Sequence, residues 1–173
     1  QNKEDDNKAH INKPEITIEG GRLKPEALWA MGRINSVHPD EQSGRIAYTV
    51  SYYSVEENRS TSWIRVAQEE DGKLVTINEF VGHSPAWHKG QLCYINGDGL
   101  LVIGDKTLTG FEKDIEGFLL SPQGDKIILI AQVKTVASTA DKYPDLPLAS
   151  GRVVDDLMYK HWDEWTETAP HPF

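Results

Sequence analysis

One phrase recurs three times along the chain. VHPDEQSGRIAY (37–48), WHKGQLCY (87–94) and LSPQGDKIIL (120–129) each place an apolar residue before a polar turn containing Gly, and follow the turn with an alternating apolar strand. Aligned on Tyr48, Tyr94 and Leu129, the copies stand 46 and 35 residues apart. These spacings bracket the period of ~40–45 residues that marks a β-propeller blade. A blade is a four-stranded sheet that buries its faces only against neighbouring blades, so a repeat of this kind demands stacked meanders. The second copy lacks the Pro and the Asp of the other two, and an ordinary β-sandwich with unrelated Gly turns is the alternative architecture.

The residues between the copies supply the strands. RIAYTVSYYSV, STSWIRVAQ, KLVTINEF, SPAWH, QLCYI, LLVIGD, FLLSP and KIILIAQVK read as short strands, with Asp71-Gly72 and Gly97-Asp98-Gly99 as turns between them. Upstream, PEITIEG alternates Ile16 and Ile18 with polar neighbours and is expected to be a strand. KPEALWAMGR carries a helix signal: Pro25 suits the first position, Leu28 and Met31 share a face, and Gly32 fits the C-terminal cap. The fold class expected is therefore all-β: about two and a half blades of four-stranded antiparallel sheet, an incomplete propeller, with a short N-terminal helix. Residues 1–14 are polar and non-periodic and are expected to be a disordered lead-in. The propeller segment would run over 15–173, with an insertion at about 135–169.

Composition narrows the functional classes. The formal charge is −9 over 173 residues, with no clustered Lys/Arg footprint, which argues against binding a nucleic-acid backbone. The longest apolar runs are only a few residues, so no membrane span is expected. Cys93 is the one cysteine, which excludes an internal disulfide and a CxxC motif. His83, His88 and Cys93 are spaced five apart, but structural zinc needs four ligands at closer spacing and strand alternation would scatter these three. No metal and no cofactor is expected. Residue 1 is Gln, so a native start is expected upstream, with an export signal as one candidate.

Two end segments carry a resemblance. LKPEALWAMGRINSV, followed by the HPDEQSGR turn and IAYTVSYYSVEENRS, is similar to the entry into the propeller of bacterial exported peptidases of the prolyl oligopeptidase family, in its acylaminoacyl-peptidase and dipeptidyl-peptidase-V-like branches. DKYPDLPLASGRVVDDLMYKHWDEWTETAPHPF resembles the insertion of the third blade in the same family, an acidic-aromatic segment that ends in a His-x-Phe strand start, so Pro172-Phe173 is expected to begin a strand. WHKGQLCYINGDG is the divergent part. The resemblance implies a periplasmic or secreted location, peptide substrates, and a C-terminal α/β-hydrolase domain bearing Ser, Asp and His. This chain would be its non-catalytic propeller portion, gating and selecting short peptides; a stand-alone propeller-like binding module is the rival reading.

No catalytic residue is expected in this chain. Gly82-His83-Ser84-Pro85-Ala86 comes nearest to GxSxG but lacks the second Gly, and its expected role is a turn leading into the next strand. The family uses propeller carboxylates to hold a substrate's free α-amine, and a carboxylate beside aromatic faces suits an ammonium group. Asp163 and Glu164 are the expected amine-binding pair, supported by the aromatic residues Tyr159, Trp162 and Trp165; the alternative is a solvated insertion whose aromatics pack on the blade edge. Self-association of the chain is also expected, through an apolar face formed by Ile46, Tyr48, Val50 and the strand 127–130.

Overall fold

The computed structural model describes residues 9–146, 148, 151 and 167–173. The chain divides into two compact units, Gln1–Phe111 and Glu112–Phe173. In the first, a short helix α1 (Pro25–Ala30) precedes strands β1 (Arg33–Pro39), β2 (Arg45–Ser54), β3 (Arg59–Glu70), β4 (Lys73–His88), β5 (Gln91–Asn96), β6 (Leu101–Ile103) and β7 (Lys106–Thr107). Neighbours in sequence are neighbours in the sheet, and every pair is antiparallel. The protein is all-β, as its alternation demands.

The 16-residue strand β4 serves two partners in turn. Lys73–Val81 pairs with β3, and Gly82–His88 pairs with β5. The seven strands are thus two four-stranded meanders, β1–β4 and β4–β7, that share one strand. The handover falls at Gly82 because a Cβ there would lie 2.6 Å from the backbone oxygen of Ile95 and 3.0 Å from Tyr94. Only a residue without a side chain lets the two backbones approach this closely. The first two copies of the repeated phrase are the β1–β2 and β4–β5 hairpins, the opening hairpin of each meander.

The first meander has two apolar faces. Ala47 and Thr49 on β2 oppose Val66 and Ile64 on β3, and all four are buried. On the other face Val50 and Tyr52 oppose Trp63 and Thr61, and this face is covered from upstream. Ile11 packs on Val50 and Tyr52, its N–H donates to Thr61 Oγ1 at 2.9 Å, and its carbonyl accepts from Trp63 Nε1 at 2.8 Å. Arg59 donates to the carbonyl of Ala9. A three-residue strap from within the segment read as a lead-in is therefore fastened across β3. Of the positions expected to form an exposed apolar face, Val50 is buried under this strap and Ile46 and Tyr48 are half-buried, while in the strand 127–130 Leu129 is buried and Ile128 is exposed; Ile34 and Val37 on β1 are exposed as well.

Two local expectations are corrected. Residues 15–18 form no strand; Ile16 and Ile18 are exposed, no neighbouring strand pairs with them, and a single 3₁₀ turn follows at Glu19–Gly21. Helix α1 forms with Pro25 in its first turn, but Met31 is the C-terminal cap. Leu28 and Met31 stay exposed while Ala27 is the buried residue. Gly32 has a packing role: a Cβ there would meet Tyr52 at 2.7 Å and Val50 at 2.8 Å.

The second unit contains β8 (Ile115–Leu120), β9 (Ile127–Lys134), helix α2 (Thr139–Lys142) and β10 (Thr168–Pro172), in the antiparallel order β10–β9–β8. The third copy of the repeated phrase is the β8–β9 hairpin, whose turn is held by Ser121: its hydroxyl accepts from the Asp125 and Lys126 N–H groups at 3.1 Å each. The expected strand start at Pro172-Phe173 moves upstream to Thr168. Pro170 and Pro172 are tolerated because β10 is an edge strand, where a missing N–H breaks no ladder. Thr135 N–H donates to the Glu167 carbonyl at 2.8 Å, so the excursion between β9 and β10 is closed at its neck. Among the described residues no helix is long and apolar enough to cross a membrane.

Gly82→Ala is expected to lower stability by about 1–3 kcal/mol, because the new methyl meets backbone that cannot rotate away; urea denaturation measures it. Ile11→Ala is expected to cost about 2 kcal/mol and to shift Trp63 emission to the red as its indole loses cover.

Candidate functional site

A cleft of about 530 Å³ lies between the two meanders. Phe80, Trp87 and Tyr94 wall it, and Arg45, Gln91 and Asp105 supply polar groups. Its volume falls within the range of small-molecule sites, roughly 300–1,000 Å³, but its side chains are already committed to each other. The Phe80 and Tyr94 rings lie 4.6 Å apart. The Arg45 guanidinium sits 4.7 Å above the Trp87 ring, donates from Nη2 to the Gly90 carbonyl at 2.7 Å and from Nε to Ser43 Oγ at 2.8 Å. Trp87 Nε1 in turn donates to the His38 carbonyl at 2.9 Å. These bonds run between the turns of the first and second repeat copies and clamp one meander to the other.

The turn that carries Arg45 is rigid in its own right. Asp40 is buried, its carboxylate accepts from the Ser43 hydroxyl, and its backbone closes the hairpin with Arg45 and Gly44. That hydrogen bond from Ser43 holds the Asp40 carboxyl below its usual range against the opposing effect of burial. Sequence reading did not single out Arg45 or Trp87. Their signal was their place in the repeat, one directly after the first turn and one directly before the second.

Gly82–Ala86 is not the expected turn. It lies inside β4, where a bulge sets Ser84 and Pro85 against one residue of β5 between the pairs His83–Ile95 and Ala86–Cys93. His83 Nδ1 and Ser84 Oγ are 3.0 Å apart. A serine hydroxyl beside an imidazole has the parts of an activated nucleophile, but acyl transfer also needs an oxyanion hole, usually built on the N–H of the next residue. That residue is Pro85, which has no N–H and is fully buried. Ser84 therefore lacks the oxyanion donor that a nucleophile elbow takes from its own next residue.

His83, His88 and Cys93 do not converge: they stand opposite Ile95, Gln91 and Ala86 respectively. Among the described residues no group of three or more His, Cys, Asp or Glu side chains is placed to hold a metal ion. Cys93 is fully buried and burial pushes its thiol pKa up, so the reactive thiolate is disfavoured. Asp163, Glu164, Tyr159, Trp162 and Trp165 lie outside the described residues.

The described start of their segment is ordered around Asp141. Ser138 caps α2 in a reciprocal capping box with Asp141, and Lys134 from the end of β9 pairs with the same carboxylate. The bond to Lys134, followed by those from Ser138, pulls the Asp141 pKa down to about 2.

No family model matches the chain. Relatives do. The chain is 33% identical over 175 aligned positions to dipeptidyl-peptidase 5 of Porphyromonas endodontalis, and 34% identical over 170 to dipeptidyl-peptidase 5 of Porphyromonas gingivalis. These alignments cover 94% and 91% of the chain and 25% of each relative. Dipeptidyl-peptidase 5 of Aspergillus fumigatus is 26% identical over 168 positions, 84% of the chain and 23% of the relative. The chain thus spans about a quarter of the length of the curated relatives it matches.

The capping box gives a pH test. A depressed carboxyl pKa contributes stability that is present above the unfolded value near 3.8 and is lost as pH falls through about 2. Carboxyl NMR titration is expected to place the Asp141 midpoint near 2, and Lys134→Met is expected to move it up towards the ordinary value.

Proposed function

We propose that this chain forms the opening blades of a β-propeller in an exported dipeptidyl peptidase of the prolyl oligopeptidase family. There it gates and selects short peptides for an α/β-hydrolase domain that supplies the Ser, His and Asp of the reaction. The observation that carries this reading is the shared strand β4: two four-stranded meanders follow one another, each opened by a copy of the same hairpin. A third copy opens the sheet of the second unit. The alignment with dipeptidyl-peptidase 5 over nearly the whole chain supports the peptidase assignment. Location in the periplasm or outside the cell belongs to the same proposal, and so does the role of Asp163 and Glu164 as receptors of the substrate's α-amine.

The chemistry divides accordingly. The work of bond cleavage falls outside this chain, and what its residues contribute is positioning. A carboxylate that receives the ammonium group of a free N-terminus fixes how far a peptide reaches towards the nucleophile, and so which bond is cut. A stand-alone binding module is the reading that remains if the longer protein cleaves nothing.

The longer protein is expected to release dipeptides from unblocked chromogenic peptides and to react with a fluorophosphonate probe, while this chain alone does neither; stoichiometric labelling of a serine within residues 1–173 would overturn the division of labour. In the longer protein, Asp163→Asn or Glu164→Gln is expected to raise KM about 10- to 150-fold for free-amine substrates, the worth of a charge-assisted contact. N-blocked peptides should be unaffected; equal losses on both would mean a structural role. Exposed Ile34 and Val37 on β1 support self-association of the isolated chain, which light scattering after size exclusion reads directly, a dilution-independent monomer being the contrary result.

A further inference from the structure

Four described residues other than Gly have a left-handed backbone: Asn58, Asp71, Ser84 and Lys89. Asn58, Asp71 and Lys89 occupy hairpin turns, where such a conformation is ordinary. Ser84, with φ 54°, stands inside β4. A residue with a Cβ adopts this conformation at a cost and keeps it only where its surroundings over-determine it. Here they do. On one side Gly82 is wedged against the Ile95 backbone, and on the other Pro85 is fully buried, so the bulge between them has no freedom to relax.

What the bulge turns outward is polar. His83 and Ser84 are both exposed, while Gly82 and Pro85 on either side are buried. Bulges re-aim side chains, and a strand that needed only a kink would take Gly at position 84, which adopts this φ freely. The pair is also self-complementary. If the Ser84 hydroxyl donates to Nδ1, then Nε2–H is left to donate and Ser84 Oγ to accept. If Nδ1–H donates to the hydroxyl oxygen, Nε2 accepts and the hydroxyl donates. In either tautomer the pair offers one donor and one acceptor, the complement of a peptide's carbonyl and N–H. Desolvation by surrounding atoms lowers the His83 pKa, which favours the neutral imidazole, the form that has both tautomers.

We infer that the His83–Ser84 pair is a docking point for a main-chain amide of a bound peptide, held out from the first strand of the second meander. The choice of a peptide as ligand rests on the peptidase reading above, whereas the donor–acceptor geometry does not.

The test is NMR titration of this chain with N-acetyl-tetra-alanine amide, an uncharged probe that offers only main-chain amides. Saturable shifts are expected at residues 82–86 and at the His83 ring. His83→Ala and Ser84→Gly are each expected to weaken binding about fivefold, the worth of one neutral hydrogen bond. His83→Gln, which keeps a donor and an acceptor, is expected to restore most of it. Ser84→Gly should also raise Tm, since Gly carries no penalty at this φ. Absence of shifts at 82–86 overturns the inference, and so does a Ser84→Gly variant with raised Tm and unchanged binding, which would make the bulge a kink alone. None of these arms reads peptidase activity, so a longer protein that cleaves nothing would defeat the peptidase reading and leave this result to stand on its own.

Discussion

One strand belongs to two sheets. β4 pairs with β3 over its first half and with β5 over its second, and the exchange takes place where the backbone of Gly82 meets the carbonyl of Ile95. Because the strand is continuous, the second meander cannot move independently of the first. Because the approach is backbone to backbone, no side chain can be inserted at the handover. The bulge that follows, with its buried Pro85, turns β4 into its second partnership and leaves His83 and Ser84 at the surface.

The clamp between the meanders reinforces that constraint from the turns. Arg45 lies on the Trp87 ring and donates to Gly90, while the Trp87 indole donates to His38. A guanidinium stacked on an indole while its edge donates to backbone keeps both its π-contact and its hydrogen bonds, which a Lys could not do. The opposite face of the first meander is covered by other means, with Ile11 seated on Val50 and Tyr52 and the α-carbon of Gly32 close above them. In a repeat architecture each sheet relies on a neighbour for cover. The first meander takes one neighbour from the chain that follows and part of its other cover from the strap that precedes it.

Much of the architecture was legible in the sequence because it depends on local pattern. The alternation in RIAYTVSYYS and STSWIRVAQ, the Asp71-Gly72 turn and Pro25 at the helix start all act within a few residues, and they fold as read. The failures are places where distant partners decide. PEITIEG alternates correctly but finds no strand to pair with. KLVTINEF and SPAWH read as separate strands, yet both lie in the continuous β4; tertiary packing uses Gly82 for close approach and buries Pro85 in a bulge. Ile11 is a single apolar residue in a polar run, a signal with no period, and its role rests on bonds to residues fifty positions away. The carboxylates and aromatics read as an amine receptor fall outside the described residues, so the site remains legible only through the resemblance.

The central claim is that the repeated phrase marks equivalent hairpins of successive four-stranded meanders joined through β4. Inter-strand Hα contacts measured by NMR test it most directly. The account predicts contacts from the 73–81 half of β4 to β3, from the 82–88 half to β5, and a Trp87 indole proton close to His38 and slow to exchange with water. Contacts from both halves of β4 to one and the same strand, or an indole proton that exchanges freely, would contradict it.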